Sequence, residues 1–179
     1  MNIKNITRIA LMGAIISIAA PIAIPLPISP VPLTLGTFAL YLAIFILDSK
    51  EAFCSTLLYL FLGAVGIPVF SGYTAGFAKF VSPSGGYLIG YLFLVGIGGY
   101  FVKRYENRFA LQLVGCFLGT IVMYIIGAAW LSQTIGASFI ATIPSGILIF
   151  LPLDIAKLIL AGVVGQKVRA RLQFQNVAI

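Results

Sequence analysis

Six long apolar segments follow one another along this chain of 179 residues. They lie at about residues 6–24, 33–47, 51–67, 85–102, 109–131 and 142–166. A helix that crosses the hydrocarbon core of a bilayer needs about 20 apolar residues, and about 17 is the lower limit. The pattern therefore predicts an all-α integral membrane protein with six transmembrane helices, in a single polytopic domain over residues 1–179. The second and third segments are short, so a tilted or re-entrant element is an alternative there.

The composition excludes several classes of protein. Hydrophobic residues make up 61% of the chain and charged residues 8%, which is not the balance of a soluble globular domain. The length leaves no room for an ATPase domain, and no phosphate-binding GxxxxGK[ST] motif occurs, so ATP hydrolysis would belong to partner subunits. Histidine is absent, which argues against a metal site or a histidine base. We therefore expect neither an enzyme nor a bound cofactor or metal.

The basic residues predict the orientation in the membrane. With six spans, all four basic clusters fall on one side of the bilayer, and cytoplasmic loops are the ones that carry excess Lys and Arg. This predicts a multi-pass protein of the bacterial cytoplasmic (inner) membrane with both termini in the cytoplasm. The net charge of +7 is then explained by the basic cytoplasmic loops and does not indicate nucleic-acid binding. The clusters are Lys4 and Arg8; Lys50; Lys103, Arg104 and Arg108; and Lys167, Arg169 and Arg171.

Two charged residues lie inside the sixth apolar segment. Asp154 and Lys157 are three positions apart, so they share one face of a helix and can neutralise each other. Each charge costs about 2.5–3.5 kcal/mol at the centre of a membrane helix, and ionisable groups there are usually functional. The pair suits a ligand with hydrogen-bond donors and acceptors, such as a cyclic urea. Pro152 is expected to kink the helix beside them. An ion pair that only fixes helix packing is the alternative.

The connections on the opposite side carry prolines and aromatic residues. Residues 25–33 contain four prolines, which predicts a stiff, non-helical lid. Residues 68–84 form the longest connection and include Lys79, which either reaches the membrane interface or attracts an anionic ligand. The segment that starts Ser84-Gly85-Gly86-Tyr87 offers backbone N–H groups at a helix start. The aromatic residues form either an interfacial belt or an apolar pocket: Phe70, Tyr73, Phe77, Phe80, Tyr87 and Trp130.

Small residues recur at four-residue spacing in three segments. Such pairs let helices approach closely in lipid, so helix packing is the more ordinary interpretation of all three. The pair nearest the cytoplasmic side, Ala10 and Ala14, is also suited to docking a partner helix. The other two pairs are Gly86 with Gly90 and Gly115 with Gly119.

Four short motifs together resemble a known family. SPVPLTLGT at 29–37, GIPVFSGYTAG at 66–76, SPSGGY at 82–87 and FLPLDIAK at 150–157 occur in the order found in the BioY family. These proteins are the substrate-binding subunits (S components) of energy-coupling-factor (ECF) biotin transporters. The motifs are short, but they are specific jointly and span most of the chain. The resemblance implies the ECF S-component fold and a high-affinity biotin site near the outer face.

The resemblance also implies roles for individual residues. Asp154 and Lys157 match the DxxK pair of the last helix, which contacts the ureido group of biotin or supports its site. Ala10 and Ala14 match the pattern that docks such subunits to a transmembrane coupling protein, which in turn contacts two ATP-binding subunits. The substrate-binding residues are expected to be Asp154, Lys157, Thr74, Gly72, Gly76, Gly86, Tyr87, Lys79, Phe70, Tyr73, Trp130 and Thr34.

Three other functions compete with biotin uptake. The same fold could serve thiamine or riboflavin, because a fold does not fix its ligand. A structural membrane subunit and a lipid-modifying membrane enzyme are the further alternatives, although the chain has few groups for acid–base chemistry. The sequence departs from the family pattern at Gly36, Thr74 and Leu88, so the resemblance does not fix every hydrogen bond to the ligand.

Overall fold

The computed structural model describes residues 3–177 of the chain, and side chains as far as residue 172. Within this range, each predicted apolar segment overlaps one long helix. Shorter helices, α4 and α7, lie in the connections at Ala78–Val81 and Phe139–Ile143. The long helices are α1 (Ile3–Ala19), α2 (Gly36–Ile46), α3 (Ser49–Ala64), α5 (Gly85–Arg104), α6 (Phe109–Ile135) and α8 (Leu151–Val177).

The helices differ in whether they can cross a membrane alone. Among the described residues, α5 and α6 are each long and apolar enough, and the bent pair Phe139–Leu148 and Leu151–Leu172 adds a third candidate span. Helices α1, α2 and α3 have 17, 11 and 16 residues. Large apolar side chains such as Ile18, Phe61 and Tyr100 lie exposed on the outside of the helices, as lipid contact requires.

A β-hairpin stands where the proline-rich lid was expected. Strand β1 (Ala23–Leu26) pairs antiparallel with β2 (Ser29–Thr34), with Ala23 opposite Thr34. The all-α prediction is therefore wrong for this segment, and α1 and α2 are shorter than the predicted 6–24 and 33–47. Prolines fit here because each strand of a two-stranded ribbon has a free edge that needs no N–H donor.

The last apolar segment is broken, whereas the sequence predicted one helix over 142–166. After α7, a π-helical turn runs over Pro144–Leu148, and the chain bends by 41° before α8 begins. Neither Pro144 nor Pro152 can donate a backbone hydrogen bond. The N–H of Ile149 instead bonds to the carbonyl oxygen of Pro144 at 3.3 Å, five residues back. The Tyr87 hydroxyl donates to the carbonyl oxygen of Gly146 at 2.7 Å and ties this turn to α5.

The connection over 68–84 folds back against α3 and the turn that follows α1. Gly72 and Gly76 have φ angles of +71° and +91°, which favour glycine because they lie in the left-handed region. The N–H of Gly72 bonds to the carbonyl oxygen of Pro21 at 3.0 Å, and that of Gly76 bonds to Gly63 at 2.8 Å. These bonds hold the connection next to the hairpin, on the same end of the molecule.

Glycines bring α5 and α6 together, as their spacing predicted. A Cβ atom on Gly90 would lie 2.9 Å from Cγ of Met123, and one on Gly119 would lie 2.9 Å from the carbonyl oxygen of Leu94. Gly86 packs against Trp130 and Gly115 against Phe101 in the same way. Ala10 and Ala14 differ, because both are exposed on the outside of α1 and do not pack inside the protein.

Polar contacts join the α2–α3 and α5–α6 turns to helix α8 at one end of the molecule. Arg169 on α8 lies 3.3 Å from the Asp48 carboxylate and 3.9 Å from that of Glu106, which belong to the α2–α3 and α5–α6 turns. Gln112 is buried beside them and donates to the carbonyl oxygens of Tyr105 and Glu106 at 2.9 and 3.0 Å. These connections therefore share one face, as the distribution of basic residues requires.

Candidate functional site: a buried carboxylate beside a small cavity

A narrow cavity of about 40 Å³ lies under the hairpin, between α2, α5, α6 and α8. Its volume is well below the range for small-molecule sites, about 300–1,000 Å³, so its walls must move apart to admit a ligand of that size. Apolar and aromatic side chains form most of its wall, and the polar groups converge at one place. It is lined by Val31, Pro32, Leu33, Thr34, Thr37, Tyr87, Tyr91, Met123, Tyr124, Phe150, Asp154 and Lys157.

Asp154 is the buried acidic group of this cavity. It lies in the first turn of α8, and only 4% of its surface is exposed. The Thr37 hydroxyl on α2 donates to Oδ1 at 2.9 Å, and the Tyr124 hydroxyl on α6 donates to Oδ2 at 2.7 Å. Charge-assisted bonds of this kind are stronger than neutral ones and offset the cost of burying a carboxylate.

Lys157 is the basic partner, one helical turn further along α8. Its Nζ lies 2.9 Å from Oδ1 of Asp154. It also donates to the carbonyl oxygen of Thr34 at 2.7 Å and to the Thr37 hydroxyl at 3.1 Å. An ammonium group has three donors, so all three are engaged by the protein. Lys157 therefore connects the end of the hairpin to the buried carboxylate.

The hydrogen-bond inventory indicates what the cavity can bind. A carboxylate offers about four acceptor positions. Three are taken at Asp154, two on Oδ1 by Thr37 and Lys157 and one on Oδ2 by Tyr124. The remaining position on Oδ2 can accept one N–H or O–H from a ligand, while the aromatic and aliphatic walls can pack on hydrocarbon.

A second cavity, of about 30 Å³, adjoins the first. The two share five lining residues, among them Tyr87 and Tyr91, and the second also reaches Ser71 and Ser84. Because Ser71 and Ser84 belong to the 68–84 connection, the two cavities form a path from the buried carboxylate toward that connection. An elongated ligand would fit along this path only if its walls moved apart.

Four of the predicted site residues meet at the first cavity: Thr34, Tyr87, Asp154 and Lys157. The other predicted residues line neither cavity. Among them, Phe70 is buried between Tyr59 and Phe80, Tyr73 is exposed, and the Trp130 indole N–H donates to the carbonyl oxygen of Ser82 at 3.1 Å.

The remaining predicted residues belong to the connection and to the start of α5. Thr74 donates to the carbonyl oxygen of Ser71 at 3.0 Å, and Gly72, Gly76 and Gly86 shape the backbone as described above. Lys79 is half-buried on α4, and burial lowers its pKa below the ordinary value. Ligand contacts by these residues stay predictions.

The cavity contains residues that the sequence analysis did not select. They are neutral residues on α2, α5 and α6 and near the start of α8, where an apolar segment gives no sign of a special role. Thr37 and Phe150 lie within two of the quoted motifs, whereas only the fold brings Tyr91, Met123 and Tyr124 near Asp154. The hairpin residues Val31, Pro32 and Leu33 complete the wall.

A buried acid–base pair beside a small cavity among membrane helices defines a membrane protein with an internal site for a small solute. The chain belongs to the BioY family, whose model matches residues 1–174. It is 36% identical to the probable biotin transporter BioY of Pyrococcus horikoshii over 172 residues, 94% of this chain and 98% of that protein. It is 33% identical to a biotin transporter of Lactococcus lactis, over 98% of this chain and 95% of that one.

A solved structure has the same fold. The crystal structure of the S component for biotin from an ECF-type ABC transporter superposes with a TM-score of 0.88 at 32% identity. The match covers 94% of this chain and 92% of that one. The family that the four sequence motifs indicated is thereby confirmed.

Proposed function

We propose that this protein binds biotin with high affinity and mediates its uptake, as the S component of an ECF-type ABC transporter. The observation that carries the proposal is the buried Asp154–Lys157 pair, which lines a cavity among membrane helices. Relatives that match almost the whole chain are named biotin transporters. The structural neighbour is the S component for biotin.

The ureido head of biotin lies next to Asp154 in this proposal. The free acceptor position on Oδ2 takes one ureido N–H. Lys157 holds the carboxylate in place through its 2.9 Å contact and lends positive charge to the ureido oxygen. The bicyclic ring packs on Tyr87, Tyr91 and Phe150, which line the cavity. This arrangement follows from the donors and acceptors that the cavity presents.

The valeryl chain of biotin extends along the second cavity toward the 68–84 connection. Its carboxylate then approaches Lys79 or the backbone N–H groups at the start of α5. Thr74, Gly72 and Gly76 shape the connection, while Phe70, Tyr73 and Trp130 provide aromatic surface around it. Lys79 is the basic residue of this connection, and its side chain is half-buried.

The protein would span the bacterial cytoplasmic membrane six times with both termini in the cytoplasm. Arg169, Asp48 and Glu106 lie together at one end, which supports a common cytoplasmic side for these connections. Ala10 and Ala14 are exposed on α1, as docking to a transmembrane coupling protein requires. ATP hydrolysis by two partner subunits would drive a reorientation of the protein in the membrane, so this chain is not itself an enzyme.

Titration calorimetry with the purified, detergent-solubilised protein tests the ligand. We expect tight one-to-one binding of biotin and no heat of binding from thiamine or riboflavin. Asp154→Asn should abolish or strongly weaken biotin binding, because the amide cannot accept from all the groups that now surround the carboxylate. Binding of thiamine or riboflavin instead of biotin would assign the fold to another vitamin. Folded protein that binds none of them would favour a structural subunit.

Reporter fusions test the topology. A fluorescent protein fused after residue 179 should fluoresce, because the C-terminus is proposed to lie in the cytoplasm. A periplasmic alkaline phosphatase inserted after Ile28, at the tip of the hairpin, should be active in a Gram-negative host. The opposite pattern would reverse the proposed orientation.

A further inference from the structure

Two helices hold the two oxygens of the Asp154 carboxylate. Thr37 on α2 donates to Oδ1 at 2.9 Å, and Tyr124 on α6 donates to Oδ2 at 2.7 Å. Thr37 and Tyr124 are themselves buried, with 7% and 2% of their surfaces exposed. Because each oxygen is bonded from a different helix, the carboxylate cannot rotate about its Cβ–Cγ bond without losing a hydrogen bond.

We propose that Thr37 and Tyr124 are positioning residues that make the site selective for a neutral cyclic urea over a cationic cyclic guanidine of the same shape. The inference rests on the proposed binding of biotin and adds to it how the ring is selected. The two hydroxyls act through Asp154: they fill acceptor positions and leave one direction, on Oδ2, for the ligand.

The difference between the two ligand classes lies in their N–H groups. A urea meets the carboxylate with one N–H and keeps a carbonyl oxygen for other contacts. A protonated guanidine presents two parallel N–H groups that fit both oxygens of a carboxylate. Asp154 cannot make that bidentate contact, because both acceptor positions of its Oδ1 are taken by Thr37 and Lys157. The Lys157 ammonium, 2.9 Å from Oδ1, also repels a second cation.

Removing either hydroxyl should therefore change selectivity as well as affinity. Without Thr37, Oδ1 regains an acceptor position, so the two oxygens together can accept both N–H groups of a guanidine. Without Tyr124, Oδ2 has two free acceptor positions and can accept both N–H groups itself. Biotin loses its oriented acceptor, whereas 2-iminobiotin, the guanidine analogue with the same ring and valeryl chain, gains a second contact that offsets part of that loss. A residue that only supports folding would weaken both ligands alike.

The chain offers a matched control on the same two helices. Tyr41 on α2 and Thr120 on α6 form a 2.7 Å hydrogen bond with each other, and both are buried. Tyr41→Phe and Thr120→Val remove the same groups as Tyr124→Phe and Thr37→Val, but neither Tyr41 nor Thr120 is bonded to Asp154. Dissociation constants for biotin and 2-iminobiotin are measured by calorimetry at neutral pH on all four variants and on Thr37→Ser.

We expect Tyr124→Phe and Thr37→Val each to weaken biotin binding about tenfold, because the released carboxylate must then be fixed in one orientation when the ligand binds. The ratio of the 2-iminobiotin to the biotin dissociation constant should fall in both variants. Thr37→Ser keeps a hydroxyl and should keep the ratio of the unsubstituted protein, as should Tyr41→Phe and Thr120→Val.

An unchanged ratio in both Tyr124→Phe and Thr37→Val would overturn the inference while leaving biotin binding itself in place. An equal fall in the Tyr41→Phe and Thr120→Val controls would also overturn it. If one variant does not fold, the other decides, with Thr37→Ser as the comparison for Thr37→Val. Failure of the unsubstituted protein to bind biotin would refute the proposed function, and this inference with it.

Discussion

The Nζ of Lys157 on α8 lies 2.7 Å from the carbonyl oxygen of Thr34, at the end of strand β2. The same ammonium group contacts Asp154 at 2.9 Å. One side chain thus links the hairpin that covers the cavity to the carboxylate inside it, across 123 positions of sequence.

Lys157→Met should loosen the hairpin and lower stability. The substitution removes the donor to Thr34 and leaves Asp154 buried without its counter-charge, which typically costs about 3–5 kcal/mol. Hydrogen exchange measured by mass spectrometry should show faster exchange in peptides that cover residues 23–34, and thermal unfolding in detergent should begin at a lower temperature.

Lys79→Met is the control for this experiment, because Lys79 is also a partly buried lysine but has no hydrogen-bond or ion-pair partner for its side chain among the described residues. It should leave exchange in the hairpin unchanged. Equal exchange rates in Lys157→Met and the unsubstituted protein would show that the Thr34 contact does not hold the hairpin.

Biotin affinity should fall at alkaline pH through Lys79. An amine is charged only below its pKa, and burial lowers the pKa of Lys79 from its ordinary 10.5. As pH rises, the charge that attracts the ligand carboxylate is therefore lost earlier than at an exposed lysine. Calorimetry across alkaline pH should show weakening for biotin and little change for its methyl ester.

Lys79→Arg provides the comparison, because a guanidinium group stays charged over this range. Its affinity for biotin should not depend on pH in the same interval. If biotin and its methyl ester weaken together in the unsubstituted protein, the carboxylate does not depend on Lys79.

Gly90→Ala should destabilise the contact between α5 and α6. Its Cβ would lie 2.9 Å from Cγ of Met123 and 3.0 Å from the backbone of the same residue, so the helices must separate. Overpacking of this kind costs about 1–3 kcal/mol. In the part of the chain that the structure describes, a Cβ on Gly96 of the same helix meets no atom within 4 Å, so Gly96→Ala should leave the melting temperature unchanged or slightly higher. A melting temperature that Gly90→Ala does not lower would mean that the helices tolerate a wider spacing.

Glu51→Met should stabilise the protein. Glu51 is in the first turn of α3 with 6% of its surface exposed, and its Oε2 is buried without a hydrogen-bond partner among the described residues. Replacing an unsatisfied buried polar group by an apolar one of similar length should recover about 1–3 kcal/mol. Thermal unfolding of Glu51→Met measures the gain, and Asp154→Asn should move the transition in the opposite direction. A lower melting temperature for Glu51→Met would show that its carboxylate has a favourable role.

The sequence predicted the long helices well and their ends poorly. Uninterrupted apolar stretches of about 20 residues have few alternatives in lipid, so α5 and α6 follow directly from the sequence. The hairpin did not, because residues 23–34 lack alternating polarity and their prolines indicate only that a helix is absent. The bend after Leu148 falls in a stretch of apolar residues, and Pro152 predicted a kink without showing that the helix breaks before it.

Four predicted residues line the cavity: Asp154 and Lys157 were recognisable by their charge, whereas Thr34 and Tyr87 lie in the motifs that carry the family resemblance. Asp154 and Lys157 are conspicuous in an apolar segment, and their three-residue spacing places them on one face. Thr37 and Tyr124 are ordinary residues of membrane helices, and they lie 117 and 30 positions from Asp154. Their importance depends on which helices become neighbours, and local sequence patterns do not contain that information.

The break in the last apolar segment has a mechanical consequence. The first piece, Phe139–Leu148, packs against α6 and is bonded to α5 through Tyr87, whereas α8 packs mainly against α2. Asp154 lies one turn past this joint and is bonded to Thr37 on one side and Tyr124 on the other. A hinge rotation there would pull the carboxylate away from Thr37 or Tyr124. The same motion would open the cavity and weaken its hold on a bound ligand.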